Sequence, residues 1–352
     1  MAGLVAGAWL RELGAQPVVL EKGTRPGGSM LLSSCVVWRH REWEDFRAEC
    51  PDGDARLQNA VWERLDEGLA WLASLRAPVV CHETGNPRTV GKRFEPRGLT
   101  DVLVRAAGDI QLEREGTVES RTSILATGGF QGNPELVACH IRPAKRLRLR
   151  ANPWSTGDGL NFGRSHGAAL SAGMDEFYGR NMPDCDFAEQ DFVPLAQLYG
   201  RFARAYNERG EQFFDGEVSW SENDLAQATA RQPNARAWYV LDDHALERRV
   251  RERTVAEMVA SSPTATDPAA LPFPAPPNAR VAVRVSPGIT HTIGGLRIDD
   301  RARVVDDEGR PVEGLYAAGV DAGGIAAGGY ASGLAAALVF GRIAAESAFA
   351  AL

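Results

Sequence analysis

Small and apolar side chains recur at helical spacing from Ala2 to Leu13, with glycine at positions 3 and 7, and Gly14 ends the pattern. The next run, PVVLEKG (Pro17–Gly23), is β-branched and closes on an acid and a glycine, which predicts a buried strand. Helix, tight turn, strand and acid form the second half of a βαβ unit. The first half, a strand and most of a G-x-G-x-x-G loop, is missing ahead of Gly3. A glycine-rich loop follows at Arg25–Met30, then amphipathic helices across Glu42–Leu75. Ser123–Asn133 reads as a second buried strand ending in a glycine turn, and Ser155–Leu170 as a turn and a helix beginning near Gly157–Asp158.

The pattern changes from about Tyr178 to Pro287, where aromatic and charged residues mix. Arg204–Phe213 suggests a hairpin there, and the proline- and alanine-rich Ser261–Asn278 a surface loop. Strand signals then return, with a hairpin turn at Asp307–Arg310 and a small-residue helix from Ser332 onward. The expected organisation is α/β: a Rossmann-like domain over 1–177 and 288–352, its first strand missing, interrupted by an α+β insertion over 178–287.

Composition narrows the function. A formal charge of -7 over 352 residues, with 44% hydrophobic and 24% charged side chains, offers no basic face for nucleic acid or an anionic membrane. The five cysteines, at 35, 50, 81, 139 and 185, are scattered, and the histidines have no metal-ligand spacing, so no metal is expected. MAGLVAGAWL has no basic leader and no cleavage site, which favours a cytoplasmic protein.

Some positions carry chemistry by type. Gly3 at a helix start leaves room and free N–H groups for an anion. Glu21, ending a strand some twenty residues on, can accept from a ribose diol. Beyond these, LEKGTRPGGSM, ATGGFQGN, STGDGLNFGRSHGA, GITHTIGGLRID and GLYAAGVDAGG occur in order along nearly the whole chain. Together they resemble the flavoprotein family of fumarate reductase, succinate dehydrogenase and 3-ketosteroid dehydrogenases. The resemblance implies a two-part FAD domain with an inserted capping domain. It also implies a small-molecule substrate and an electron partner that the sequence does not identify.

By this resemblance Gly3 matches the last glycine of the pyrophosphate loop, and Glu21, beside Lys22, matches the adenosine-ribose acid. Gly27, Gly28 and Ser29 match the loop along the flavin, Thr127, Gly128 and Gly129 the turn near the cofactor, and Asp158 its helix-start motif. Asp321, following Gly319, matches the acid that holds the ribityl chain. Met30 stands where members with covalent flavin carry histidine, so the FAD should be non-covalent.

The substrate region departs from the fumarate branch. The proton-donating arginine falls near Ser221, and the clamping arginine at Ala327 or Gly328. Without them a dicarboxylate lacks a bidentate partner, which argues against fumarate. His291 matches the substrate-facing histidine of that branch, while YASGL (Tyr330–Leu334) resembles the ketosteroid dehydrogenases. Tyr330, Ser332 and the Gly333 N–H then become the candidates for activating a carbonyl. The cap tyrosine of those enzymes falls near Trp220, whose indole takes no proton, and Tyr178 and Arg180 begin the cap.

The expected reaction is hydride transfer between flavin N5 and a carbon–carbon bond next to a carbonyl, in a steroid or another enone, with Tyr330 and His291 polarising the carbonyl or shuttling the proton. A fumarate- or urocanate-like reductase and a non-catalytic remnant are the alternatives; a nicotinamide dehydrogenase gives GGSM, ATGGF and THTIGG no role. The missing strand and a shortened Asp109–Arg121 region predict low flavin occupancy or poor solubility.

Overall fold

The computed structural model describes residues 1–116, 120–141 and 146–352. Part of the Asp109–Arg121 stretch thus lies outside the described residues. The architecture is mixed α/β and divides into two compact units. The first comprises Met1–Leu136, Ala151–Glu176 and His291–Leu352, and the second Val137–Arg150 and Phe177–Thr290. The sequence pattern places the insertion at 178–287, whereas the second unit also takes in Val137–Arg150.

The first unit is built around the helix Gly333–Ala350. It starts at Ser332, whose hydroxyl accepts from the Ala335 N–H at 3.3 Å and so satisfies a donor the helix would otherwise leave bare. Its alanines and glycines let neighbours approach. A side chain on Gly341 would meet the Ala2 carbonyl at 2.9 Å, and one on Gly68 would meet Leu338 at 3.0 Å. The helices Ala2–Glu12 and Ala55–Ser74 pack against it. Glu346 ties them by accepting from Arg64 at 2.8 Å and Trp9 at 3.1 Å. Arg342, 2% exposed, meets Glu67 at 2.5 Å and lies 4.0 Å over the Trp9 ring. This helix is apolar and long enough to cross a membrane, yet 67% of it is buried within the unit, where its apolar surface is already used.

Three small sheets complete the unit. Val19–Leu20 pairs in parallel with Ile110–Gln111. Ser123–Leu125 runs parallel to Pro311–Ala317, which pairs antiparallel with Arg303–Val305 across the expected turn. Val36–His40, Thr89–Phe94 and Val79–Cys81 form an antiparallel sheet. The Pro17–Gly23 strand is less buried than its β-branched pattern suggests. Only two of its residues pair, and Val18 is half exposed, because Ile110–Gln111 is its one partner among the described residues.

The second unit centres on the long strand Val281–Thr292, flanked by Ala237–Leu241, Ala265–Thr266, Phe177–Pro183 and Arg148–Leu149. Arg204–Tyr206 and Gln212–Phe214 form the hairpin that the sequence predicts. Tyr199, Tyr239, Leu225 and Val283 are fully or almost fully buried in its core, and the Tyr239 hydroxyl accepts from Asn181.

Leu65 is completely buried in the helix Ala55–Ser74. Leu65→Ala should destabilise the first unit by about 2–5 kcal/mol through lost transfer energy and a residual cavity. Urea denaturation followed by tryptophan fluorescence checks this; a loss below about 1 kcal/mol would mean the site collapses around the gap.

Candidate functional site: a cofactor cradle in the first unit

The centre of the site is a carboxylate. Asp321 is 1% exposed and accepts from the backbone N–H and the hydroxyl of Thr127, the latter at 3.0 Å, and from the Gly129 N–H at 3.1 Å. The Thr127 hydroxyl in turn accepts from the Gly159 N–H at 3.0 Å. One acid therefore joins the end of the strand Ser123–Leu125, the turn after the strand Pro311–Ala317, and the start of the helix Asp158–Ser165. Burial raises the Asp321 pKa, and the donors around it offset only part of that rise.

The turn it holds needs glycine. Gly128 and Gly129 sit at φ of 93° and 85°, and a side chain on Gly129 would strike Thr292 Oγ1 at 2.7 Å and Gln131 Oε1 at 2.9 Å. Those two atoms are buried and have no hydrogen-bond partner among the described residues. Such orphans are costly, and they cluster where a bound group supplies what is lacking.

The segment 151–158 carries the remaining parts to this turn. The Ser29 hydroxyl accepts from the Asn152 N–H at 3.2 Å, and a side chain on Gly28 would lie 3.4 Å from the Asn152 amide nitrogen. Trp154 covers Gly23, whose N–H donates to Glu21 Oε1 at 2.7 Å. The Ser155 carbonyl accepts from the Gly132 N–H at 2.8 Å. Lys22 reaches Thr156 Oγ1 at 2.8 Å and Asp158 Oδ2 at 3.0 Å. Glu21, the Gly27–Ser29 loop, the Thr127–Gly129 turn, Asp158 and Asp321 are thus joined by one continuous path of contacts. The sequence reading overlooked Asn152 and Trp154, although an indole directly before STGDG was their signal.

Several predicted residues are placed in more structural settings than their motifs suggest. Gly3 lies in the helix Ala2–Glu12 against Ala126, and Gly319 packs against Ala2. The Asp321 and Asp158 carboxylates are engaged by protein groups, the second by Lys22 and Thr156. Ser332 is 3% exposed, caps the Gly333–Ala350 helix, accepts from the Trp38 N–H and donates to the Val36 carbonyl, each at 3.4 Å. These contacts account for the hydroxyl by fixing a helix to a strand.

A second cluster holds His291 and Tyr330, with ring centroids 6.1 Å apart. Trp38, which sequence reasoning missed, meets Tyr330 edge-on at 6.0 Å and His40 at 5.3 Å. His291 Nε2 faces Gly333, where a side chain would approach it to 3.0 Å. Its Nδ1 lies 3.0 Å from the Thr292 carbonyl, which can only accept, so Nδ1 carries the proton and Nε2 the lone pair. Burial lowers the pKa and keeps this neutral tautomer. This leaves Nε2 an acceptor, which suits the proton-shuttling half of the expectation for His291 rather than the carbonyl-polarising half.

A family model described as an FAD binding domain matches residues 100–334, more than half of the chain. The chain belongs to this FAD-binding family. It is similar to a probable fumarate reductase, Ifc3, of Shewanella frigidimarina (strain NCIMB 400), 24% identical over 99% of the chain and 73% of that protein. It is also 28% identical to a fumarate reductase (cytochrome) of Shewanella frigidimarina over 76% of the chain, spanning about half (53%) of that protein's length. Its fold matches a 3-ketosteroid-Δ4-(5α)-dehydrogenase from Rhodococcus jostii RHA1 with a TM-score of 0.72, at 19% identity, over 99% of the chain and 94% of that one.

The cofactor is FAD, and the flavoprotein is an oxidoreductase. The residues present suit the group. Gln131 Oε1 and Thr292 Oγ1 lack partners beside the open turn, and FAD offers both donors and acceptors.

Asp321→Asn puts an amide N–H₂ or a weaker acceptor against donors that face a carboxylate. It should cost about 1.5–3 kcal/mol, the worth of hydrogen bonds to a charged group, and deplete bound flavin. The visible-to-ultraviolet absorbance ratio of the purified variant reads this; wild-type flavin content with wild-type stability would refute it.

His40 supplies a pH test. Its Nδ1 has no hydrogen-bond partner among the described residues, the ring stacks on Phe46 at 5.4 Å, and burial pushes its pKa down to about 4 from 6.5. The folded chain thus binds fewer protons than the unfolded one, so stability present above pH 6.5 is lost as pH falls toward 4. His40→Phe keeps an aromatic ring and should flatten that acid limb in melting temperatures measured across pH. An unchanged limb would place its origin elsewhere.

Proposed function

We propose that this flavoprotein oxidises or reduces a carbon–carbon bond next to a carbonyl, in a steroid or another enone. The observation that carries the reading is the cluster of Tyr330, Trp38 and His291, aromatic and neutral, with Ala327 and Gly328 at the positions where a carboxylate-clamping arginine would stand. Ala327 is fully buried, and the Gly328 N–H donates to Glu176 at 2.8 Å, so neither supplies a cation.

When bound, FAD supplies the hydride acceptor or donor at N5. Glu21, the Gly27–Ser29 loop, Lys22, the Thr127–Gly129 turn and Asp158 are the residues proposed to hold it, with Asp321 fixing the turn from behind. The Tyr330 phenol donates to the carbonyl oxygen, and the Gly333 N–H, first in its helix, is the second donor. Charge that develops on that oxygen is then met by fixed dipoles. His291 Nε2, holding a lone pair, takes up the proton that leaves the substrate carbon. Trp38 walls the site with an apolar face and limits water around these groups.

Reduction of an unsaturated carboxylate is the second reading, and the names of the sequence relatives favour it. That reading requires a cation at the carboxylate. The proposed setting is the cytoplasm.

Anaerobic mixing with 3-ketosteroids and small enones should bleach or reoxidise the flavin absorbance. No response to any carbonyl compound, together with turnover of fumarate, would overturn the reading. Tyr330→Phe should lower kcat by about 10²–10³ with flavin content intact, as the loss of one oxyanion donor does. A decrease below about threefold in steady-state assays would remove Tyr330 from the chemistry.

A further inference from the structure

We propose that the second unit carries a separate binding site for a phosphate group. Arg146, Arg148, Asp184, Asn234, Arg236 and Ser286 line a cavity of about 220 Å³ in that unit. Ligand pockets for whole small molecules begin at roughly 300 Å³, so this one suits a compact group. Its lining holds three guanidiniums and a single carboxylate.

That carboxylate acts as a strut. The Asp184 side chain is 3% exposed, and Arg236 at 2.8 Å, Arg284 at 3.1 Å and Arg148 at 3.3 Å converge on it. One acid cannot neutralise three arginines, but it can hold their forks in place. Two further acids take part from outside the lining: Asp186 meets Arg148 at 2.9 Å and Glu208 meets Arg236 at 3.7 Å. Arg146 is exposed and forms no ion pair among the described residues.

The second observation is Ser286. The residue is 3% exposed, lines the cavity, and its hydroxyl is buried without a hydrogen-bond partner among the described residues. A buried hydroxyl in that state costs about 1–3 kcal/mol unless something fills the space beside it and bonds to it. Donors come from three chain segments: 146–148, 236 and 286. A planar carboxylate presents two oxygens in one plane, whereas a tetrahedral phosphate presents oxygens in several directions at once. The arrangement favours phosphate, free or as an ester.

The test is calorimetric titration of the FAD-loaded full chain at constant ionic strength with inorganic phosphate, glycerol phosphate and succinate. Saturable binding of a phosphate compound is expected, with succinate weaker, and the tighter of the first two names the source as free anion or ester. R146A removes a guanidinium without releasing an ion pair, and S286A removes the orphan hydroxyl. Each should weaken binding about tenfold, as the loss of a charge-assisted hydrogen bond does, while circular dichroism and flavin content stay as in the wild type. No saturable heat with either phosphate compound, equal affinity in both variants, or succinate binding as tightly as phosphate would overturn the proposal.

Discussion

The first unit depends on one buried carboxylate. Asp321 lies far along the chain from the turn that it fixes, yet it collects the Thr127 and Gly129 donors, and through the Thr127 hydroxyl it positions Gly159. A charge without water is tolerable only where fixed donors replace the water. Those donors exist because Gly128 and Gly129 take a backbone conformation closed to other residues. Cofactor cradle and core are thus one construction. The same contacts that would cost energy if broken also set the turn proposed to meet FAD.

Much of this was legible from residue order. The helix Ala2–Glu12, the paired helices within Glu42–Leu75, the hairpin at Asp307–Arg310 and the start of the last helix at Ser332 follow from period, caps and turn residues. The ordered glycine motifs pointed to the cofactor through the family they resemble. Side-chain partnership was not legible. Nothing in the sequence says that Asp321 spends its oxygens on Thr127 and Gly129, that Ser332 belongs to Trp38 and Val36, or that Lys22 turns toward Asp158. Each is a contact between segments far apart in sequence, decided by packing after the elements form. The Pro17–Gly23 run misled for a related reason: β-branching shows that a strand is favoured, and neighbours decide how deeply it is buried.

The two clusters of the first unit obey opposite electrostatic rules, as the proposed division between holding the cofactor and reacting requires. Around Asp321 the donors converge on a charge and fix it. Around Tyr330 the groups are neutral: a phenol, an indole, and an imidazole whose protonation burial opposes. A site meant to grip a dicarboxylate would place cations there, because a desolvated carboxylate without them is strongly disfavoured. An uncharged site instead favours a neutral carbonyl compound that becomes anionic only as the reaction proceeds.

The tautomer of His291 sharpens this division of labour. With the Nδ1 proton committed to the Thr292 carbonyl, Nε2 cannot donate to a substrate oxygen. In the proposed reaction Tyr330 and the first amides of the last helix are then the donors, and His291 the acceptor. Glycine at 333 keeps the space beside the acceptor open, since a side chain there would crowd Nε2 at 3.0 Å. Removing a proton from carbon while stabilising the oxygen two bonds away requires that pairing, whichever direction the hydride takes.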